Sequence, residues 1–315
     1  MKVAVIGLGG WGKNHARVLN DLGCLVAICD QDKQKLTQYG DKYDIKKRYQ
    51  TVEELLRSER LDACLVCTPT KTHFQVTSKI IENGINVFVE KPLSYSVKEC
   101  RDLASVAKQN KVILTTGYIE RFNPAVNEVK KLIKNKTYGD LFMMEFHREN
   151  RMPFHIKDVG IIYDTTVHDI DTAMHLFDMR PTMVFAKAGK LFHEHEDFAT
   201  IILGFQDQKI AVISSNWITP KKVRKFSAIC TNGVINGDFI TQEITIDSAE
   251  TTIIPRHEKV EPLTLELKCF LDTIKNLPES DVKIVSTEES INVTKVAEAA
   301  LLSNHTGAPI YINME

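Results

Sequence analysis

Lys2-Val3-Ala4-Val5-Ile6-Gly7-Leu8-Gly9-Gly10-Trp11-Gly12 stands at the head of the chain. An apolar run, a cluster of glycines and a following helical period with Ala16, Val18, Leu19 and Leu22 on one side read as strand, tight turn and helix. Each glycine then has a physical task. Gly7 permits the turn, Gly9 lets a pyrophosphate approach the backbone across Gly10 and Trp11, and Gly12 lets the helix pack closely on the strand. The helix N-terminus points unpaired N–H groups at the same phosphates. A second apolar run, 25–29, ends in Asp30, where a carboxylate can accept the hydroxyls of an adenosine ribose. The stretch therefore implies an NAD-binding Rossmann domain, with Lys33 and Lys35 close enough in sequence to temper the preference of Asp30 for NAD over NADP.

The alternation of strand and helix continues downstream. Residues 51–58 read as a helix with Thr51 as N-cap and Glu54 at the capping-box position, 63–67 as a strand ending in Thr68-Pro69, and 72–83 as a helix closed by Gly84. Val87-Phe88-Val89-Glu90-Lys91-Pro92 is a buried strand that must stop at Pro92, which lacks an N–H. Lys91 thus falls at the carboxyl end of a parallel strand, where open α/β sheets bind ligands, and a Lys-Pro bond can be cis at modest cost. A helix over 96–109 and a strand over 112–116 complete a doubly wound parallel sheet in a domain spanning 1–120. Thr68, Pro69, Glu90 and Lys91 then line the crevice of the glycine loop.

From 121 to 315 the rhythm changes. Strand-like runs at 141–148, 184–191, 198–205, 209–217, 225–231 and 244–246 are separated in part by short turn signals such as Asn232-Gly233. Helices are expected over 263–277 and 287–302. The second domain reads as α+β, with a large, mostly antiparallel, open-faced sheet. An apolar uncovered face would make a homodimer or homotetramer through that sheet.

A chain of 315 residues exceeds a single core, and its 43% hydrophobic and 26% charged content is that of a globular protein. A formal net charge of -1 argues against nucleic acid or an anionic membrane as partner. No apolar run reaches membrane-spanning length and the N-terminus enters a strand directly, so a cytoplasmic location is expected. Seven cysteines are scattered, and Cys64-Leu65-Val66-Cys67 lies in a strand without a second pair, which implies reduced core residues and no metal site. His193-Glu194-His195-Glu196-Asp197 is read as a solvated loop before a strand. His73 is unassigned between an approach to the cofactor and a helix cap.

Between the first two strands of the second domain lies Asp158-Val159-Gly160-Ile161-Ile162-Tyr163-Asp164-Thr165-Thr166-Val167-His168-Asp169-Ile170-Asp171. At 100° per residue Asp164, His168 and Asp171 share one helical stripe. A carboxylate beside an imidazole suits proton transfer, and equally suits an ordinary surface pair. Arg148, Arg151 and Lys157 precede this helix, either as surface charges or as a clamp for a diphosphate.

Gly7 to Gly12, Glu90-Lys91-Pro92, and Asp164 with His168 and Asp171, in this order, resemble the glucose–fructose oxidoreductase and inositol dehydrogenase family over essentially the whole chain. The resemblance implies a dehydrogenase acting on a secondary hydroxyl with NAD. Lys91 and His168 would be its catalytic pair, and Asp164 their polar neighbour. Many members carry glycine where this chain has Thr166. Trp11-Gly12-Lys13-Asn14-His15, Tyr118-Ile119-Glu120-Arg121-Phe122-Asn123-Pro124, Asp158-Val159-Gly160 and Val167-His168-Asp169-Ile170-Asp171 are similar to the branch that oxidises the 3-hydroxyl of UDP-N-acetylglucosamine. Lys91, Arg121, Arg148, Arg151, Asp164 and His168 are then the substrate-binding set. A free sugar or inositol as substrate, and a non-catalytic dinucleotide-responsive regulator, are the alternatives.

Overall fold

The computed structural model describes residues 1–152, 158–278 and 282–312. The chain divides into two compact units, one of Met1–Gly117 with Leu263–Ile291, the other of Tyr118–Pro262 with the chain from Asn292 onward.

The first unit alternates β1 (Val3–Ile6), α1 (Gly12–Asp21), β2 (Leu25–Cys29), α2 (Lys33–Lys42), β3 (Lys47–Tyr49), α3 (Val52–Ser58), β4 (Ala63–Val66), α4 (His73–Glu82), β5 (Asn86–Glu90), α5 (Val97–Asn110) and β6 (Leu114–Gly117). Its six strands are all parallel in the order β3-β2-β1-β4-β5-β6. That is the doubly wound order with its switch between β1 and β4, so the carboxyl ends of those strands open the crevice. Central strands are buried on both faces, which is why they read as continuous apolar runs. Thr51 and Ser96 cap α3 and α5 by accepting from Glu54 N and Glu99 N.

The second unit continues with α6 (Pro124–Lys134), β7 (Leu141–Glu149), α7 (Val167–Phe177), β8 (Met183–Gly189), β9 (Phe198–Gly204), β10 (Ile210–Asn216), β11 (Val223–Cys230), β12 (Gly233–Asp238), β13 (Ile244–Asp247) and β14 (Thr252–Ile253). After α8 (Pro262–Ile274) come α9 (Thr287–Thr306) and β15 (Ile310–Tyr311). Nine strands form one sheet in the order β14-β13-β12-β11-β7-β10-β9-β8-β15. All neighbours are antiparallel except β7 with β10. The short connections foreseen from sequence join antiparallel neighbours from β8 to β10 and from β11 to β14, whereas β7 enters between β10 and β11 and meets β10 in parallel.

Alternation separates the two faces of this sheet. Val184, Leu203, Ala211, Met144, Ala228, Ile235 and Ile246 form one buried row across it. Phe185, Ile202 and Val212, on the other face, are only half-buried, and Ile210 is exposed. On β8 the N–H groups of Ala186 and Ala188 donate to Ser303 and Asn304 of α9 at 3.0 and 2.8 Å.

Leu263–Ile291 groups with the first unit, although the sequence division at 120 leaves it with the second domain. Leu267, Phe270 and Leu271 of α8 are buried there, with the Phe270 ring 5.7 Å from Phe88. The Thr115 hydroxyl donates to Val285 O at 2.8 Å.

Candidate active site

The glycine loop is held by backbone contacts that no side chain could share. Gly7 has φ +88 and its missing Cβ would lie 2.7 Å from Cys67 O, while a Cβ on Gly12 would fall on the Gly7 carbonyl. At Gly9, by contrast, nothing stands within 4 Å of the Cβ position. An open cradle beside the N-terminus of α1 is the shape a pyrophosphate needs. Asp30 closes the loop on its far side, accepting from Leu8 N at 2.6 Å and from Asp32 N at 2.9 Å. Lys35 Nζ lies 3.8 Å from the same carboxylate. These groups suit the diphosphate and adenosine ribose of NAD, so Gly7 to Gly12 and Asp30 are the residues that would hold it.

Lys91 follows β5 directly and is half-buried, and the Lys91-Pro92 peptide is cis. Two buried histidines grip the residues on either side of it. His15, from the first turns of α1, meets Glu90 Oε1 through Nε2 at 2.5 Å. Burial would push the Glu90 carboxyl up, but that hydrogen bond and the charges of His15 and Lys91 hold it below the usual range. His73, at the start of α4, places Nδ1 2.8 Å from Pro92 O and Nε2 2.9 Å from Thr68 O. The histidine left unassigned by sequence therefore joins the Thr68-Pro69 turn to the end of the Glu-Lys-Pro bend. Its acceptors lie five and nineteen residues away, which no local pattern reveals. Cys67 lies beside this loop, and burial first, with Glu90 next, pushes its thiol far up.

In the second unit, Ile162–Thr166 forms a π-helical turn ahead of α7. A stripe counted at 100° per residue presumes one unbroken α-helix, and the wider turn breaks that register. Asp164 and His168 are half-buried, whereas Asp171 is fully buried. Asp164 accepts from the Thr165 hydroxyl at 3.0 Å, and His168 stands edge-on to Tyr118 with ring centroids 6.4 Å apart.

The arginines differ from expectation. Arg121, foreseen as a substrate contact, is 5% exposed and bidentate to Asp171, with Nη2 to Oδ1 at 2.6 Å and Nε to Oδ2 at 2.9 Å. Arg148 is 2% exposed, holds Asp169 through Nε and Nη2 at 2.9 and 2.7 Å, and reaches Glu120 through Nη1 at 3.0 Å. Both guanidiniums are engaged by buried carboxylates and neither is presented to solvent as a diphosphate clamp. The partners sit 50 and 21 residues away, so sequence spacing could not expose them. Arg151 is exposed, and Lys157 lies outside the described residues. Arg224 on β11, which the sequence reading passed over, stands opposite Arg148.

The loop before β9 is more ordered than a solvated one. Asp197 is fully buried, accepts from Leu191, Phe192 and His193 N–H groups, and pairs with the His193 ring. No helix among the described residues is long and apolar enough to cross a membrane.

Residues 1–118 match the oxidoreductase family with an NAD-binding Rossmann fold, and 126–236 match the GFO/IDH/MocA C-terminal domain. Myo-inositol 2-dehydrogenase of Thermotoga maritima is 30% identical over 69% of this chain and 68% of its own. Scyllo-inositol 2-dehydrogenase (NAD(+)) of Bacillus subtilis is 29% identical over 100% and 97%. UDP-N-acetylglucosamine 3-dehydrogenase of Acidithiobacillus ferrooxidans is 23% identical over 87% and 88%. A solved structure of that enzyme superposes with TM-score 0.87, covering 97% of this chain and 98% of the other at 21% identity. The glycine cradle, the acid at the end of β2 and the two-unit fold thus have their explanation: the chain belongs to the GFO/IDH/MocA oxidoreductase family and is an NAD-dependent dehydrogenase.

Proposed function

We propose that the enzyme oxidises a secondary hydroxyl of a sugar or cyclic polyol, with Lys91 and His168 as its catalytic pair. The observation that carries this reading is the fixing of Lys91 at the carboxyl end of β5, between Glu90 held by His15 and Pro92 held by His73. NAD, when bound, supplies the acceptor for the hydride. The chain must remove the hydroxyl proton and steady the oxygen. His168 takes the proton, Lys91 donates a hydrogen bond to the same oxygen as negative charge develops, and Asp164 orients the sugar. Positioning the carbon against the ring is worth several powers of ten in rate and falls to the residues around them.

The finer reading names the 3-hydroxyl of UDP-N-acetylglucosamine. It is supported by the stretches Trp11 to His15, Tyr118 to Pro124 and Val167 to Asp171, and by the relative that acts on that compound. A second reading, an inositol dehydrogenase, is favoured by the 30% identical relative and by the engagement of Arg121 and Arg148 with buried carboxylates. The test is a panel of UDP-sugars, free sugars and inositols incubated with NAD, with NADH followed by absorbance and the keto carbon located by NMR. Turnover confined to inositols or free hexoses would remove the nucleotide sugar and keep the dehydrogenase. The reading also includes a homodimer or homotetramer formed through the open face of the nine-stranded sheet.

A further inference from the structure

Arg121 and Arg148 are engaged by buried carboxylates, and the cation opposite Arg148 is Arg224. Register pairs Arg224 with Arg148 across β11 and β7, and directly opposed residues of antiparallel strands project to the same face. Two guanidiniums therefore stand side by side at this end of the sheet. Arg148 is satisfied by Asp169 and Glu120. Among the described residues the half-buried Arg224 side chain has neither a hydrogen-bond nor an ion-pair partner. A guanidinium offers five N–H donors in a fixed fork, and holding one part-buried beside another cation is unfavourable unless an anion arrives.

Electrostatics act on Arg224 in both directions. Burial first, and then the positive charge of Arg148, hold the Arg224 guanidinium below its ordinary value, against the opposing pull of Glu120, Asp169 and Asp164. The ammonium of Lys222, two residues earlier, is held down by partial desolvation and then by the charges of Arg224 and Arg148. Lys222 stands immediately before β11, the strand that carries Arg224. Asp164, proposed above to orient the substrate, is among the charges that act on Arg224.

We infer that Arg224, assisted by Lys222, is the site that binds the phosphate groups of the substrate, a role for which the sequence offers Arg121, Arg148 and Arg151. The inference rests on the nucleotide-sugar reading above and specifies which side chains recognise its diphosphate.

The probe is UDP, titrated calorimetrically into the intact protein in the presence of NAD, for wild type, Arg224→Gln, Arg224→Lys and Lys222→Gln. Loss of one charged bidentate contact is expected to weaken UDP binding roughly ten- to hundred-fold in Arg224→Gln, with partial recovery in Arg224→Lys and a smaller loss in Lys222→Gln. NAD affinity and melting temperature should stay at the wild-type values, and the loss with UDP-N-acetylglucosamine should fall on KM more than on kcat. Tight, Arg224-dependent UDP binding without turnover of any UDP-sugar supports the phosphate site and removes the named substrate. Equal UDP affinity in wild type and Arg224→Gln, or no UDP binding by wild type, overturns the inference.

Discussion

Replacing Lys91 with alanine takes away the proposed donor to the reacting oxygen, and His168→Ala takes away its proton acceptor. Each variant is expected to lower kcat by roughly 10²–10⁴, the usual worth of a positioned acid or base. NAD affinity should change little, since neither belongs to the glycine cradle. Single-turnover NADH formation beside a cofactor titration checks both, and near-normal rates in the two variants would remove the catalytic pair. Asp30 carries a second prediction. Its carboxylate is fixed by Leu8 N and Asp32 N, so it cannot swing away from a 2′-phosphate. Two like charges about 4 Å apart repel by a few kcal/mol at intermediate dielectric, more than the part-exposed Lys35 offsets. NAD should therefore exceed NADP in kcat/KM by at least about tenfold, and Asp30→Ala should narrow the gap; equal efficiency in the wild type would refute this. The acid at the end of β2 and the lysine after β5 were legible because their chemistry follows from strand ends at fixed spacing. Arg121, Arg148 and His73 were not, because their partners come from remote segments and burial decides what an arginine is for.

Among the elements, the turn before β9 has the clearest dependence on one side chain. Burial alone would push the Asp197 carboxyl up, but the His193 ring and three backbone N–H groups outweigh it and hold the group below the usual range. Because the folded value is depressed, the stabilisation is present above the unfolded value of about 3.9 and is lost as pH falls through the folded one. Asp197→Asn is expected to cost about 1.5–3 kcal/mol at neutral pH, and the gap to wild type should close as pH drops below about 4. Urea unfolding at neutral and acid pH measures it; a gap independent of pH would show that Asp197 is not the titrating group. Nothing in His193 to Asp197 announced this turn, since its N–H donors become visible only once β8 and β9 are paired. The long strands and capped helices were readable from period and caps. Short elements such as β3, β14 and β15 were not, being too brief to show alternation and fixed by their neighbours in the sheets.

For the whole molecule, the face bearing Phe185, Ile202, Val212 and Ile210 sets the expected assembly. A lysine at Ile202, in the middle of that face, would put an unpaired charge into any interface there and should shift sedimentation toward monomer. An unchanged sedimentation coefficient would place the contact elsewhere. The return of α8 to the first unit has a further meaning, in the order of synthesis. Phe270 completes the packing around Phe88, and Val285 O accepts the Thr115 hydroxyl, yet both are made long after Gly117. At about 5–20 residues per second, some ten to thirty seconds separate the last strand of the parallel sheet from the residues that close its core. During that interval the nascent nucleotide-binding unit carries an apolar seam awaiting α8, and a ribosome-bound chain halted near residue 120 is expected to be cut by protease where the released protein is not.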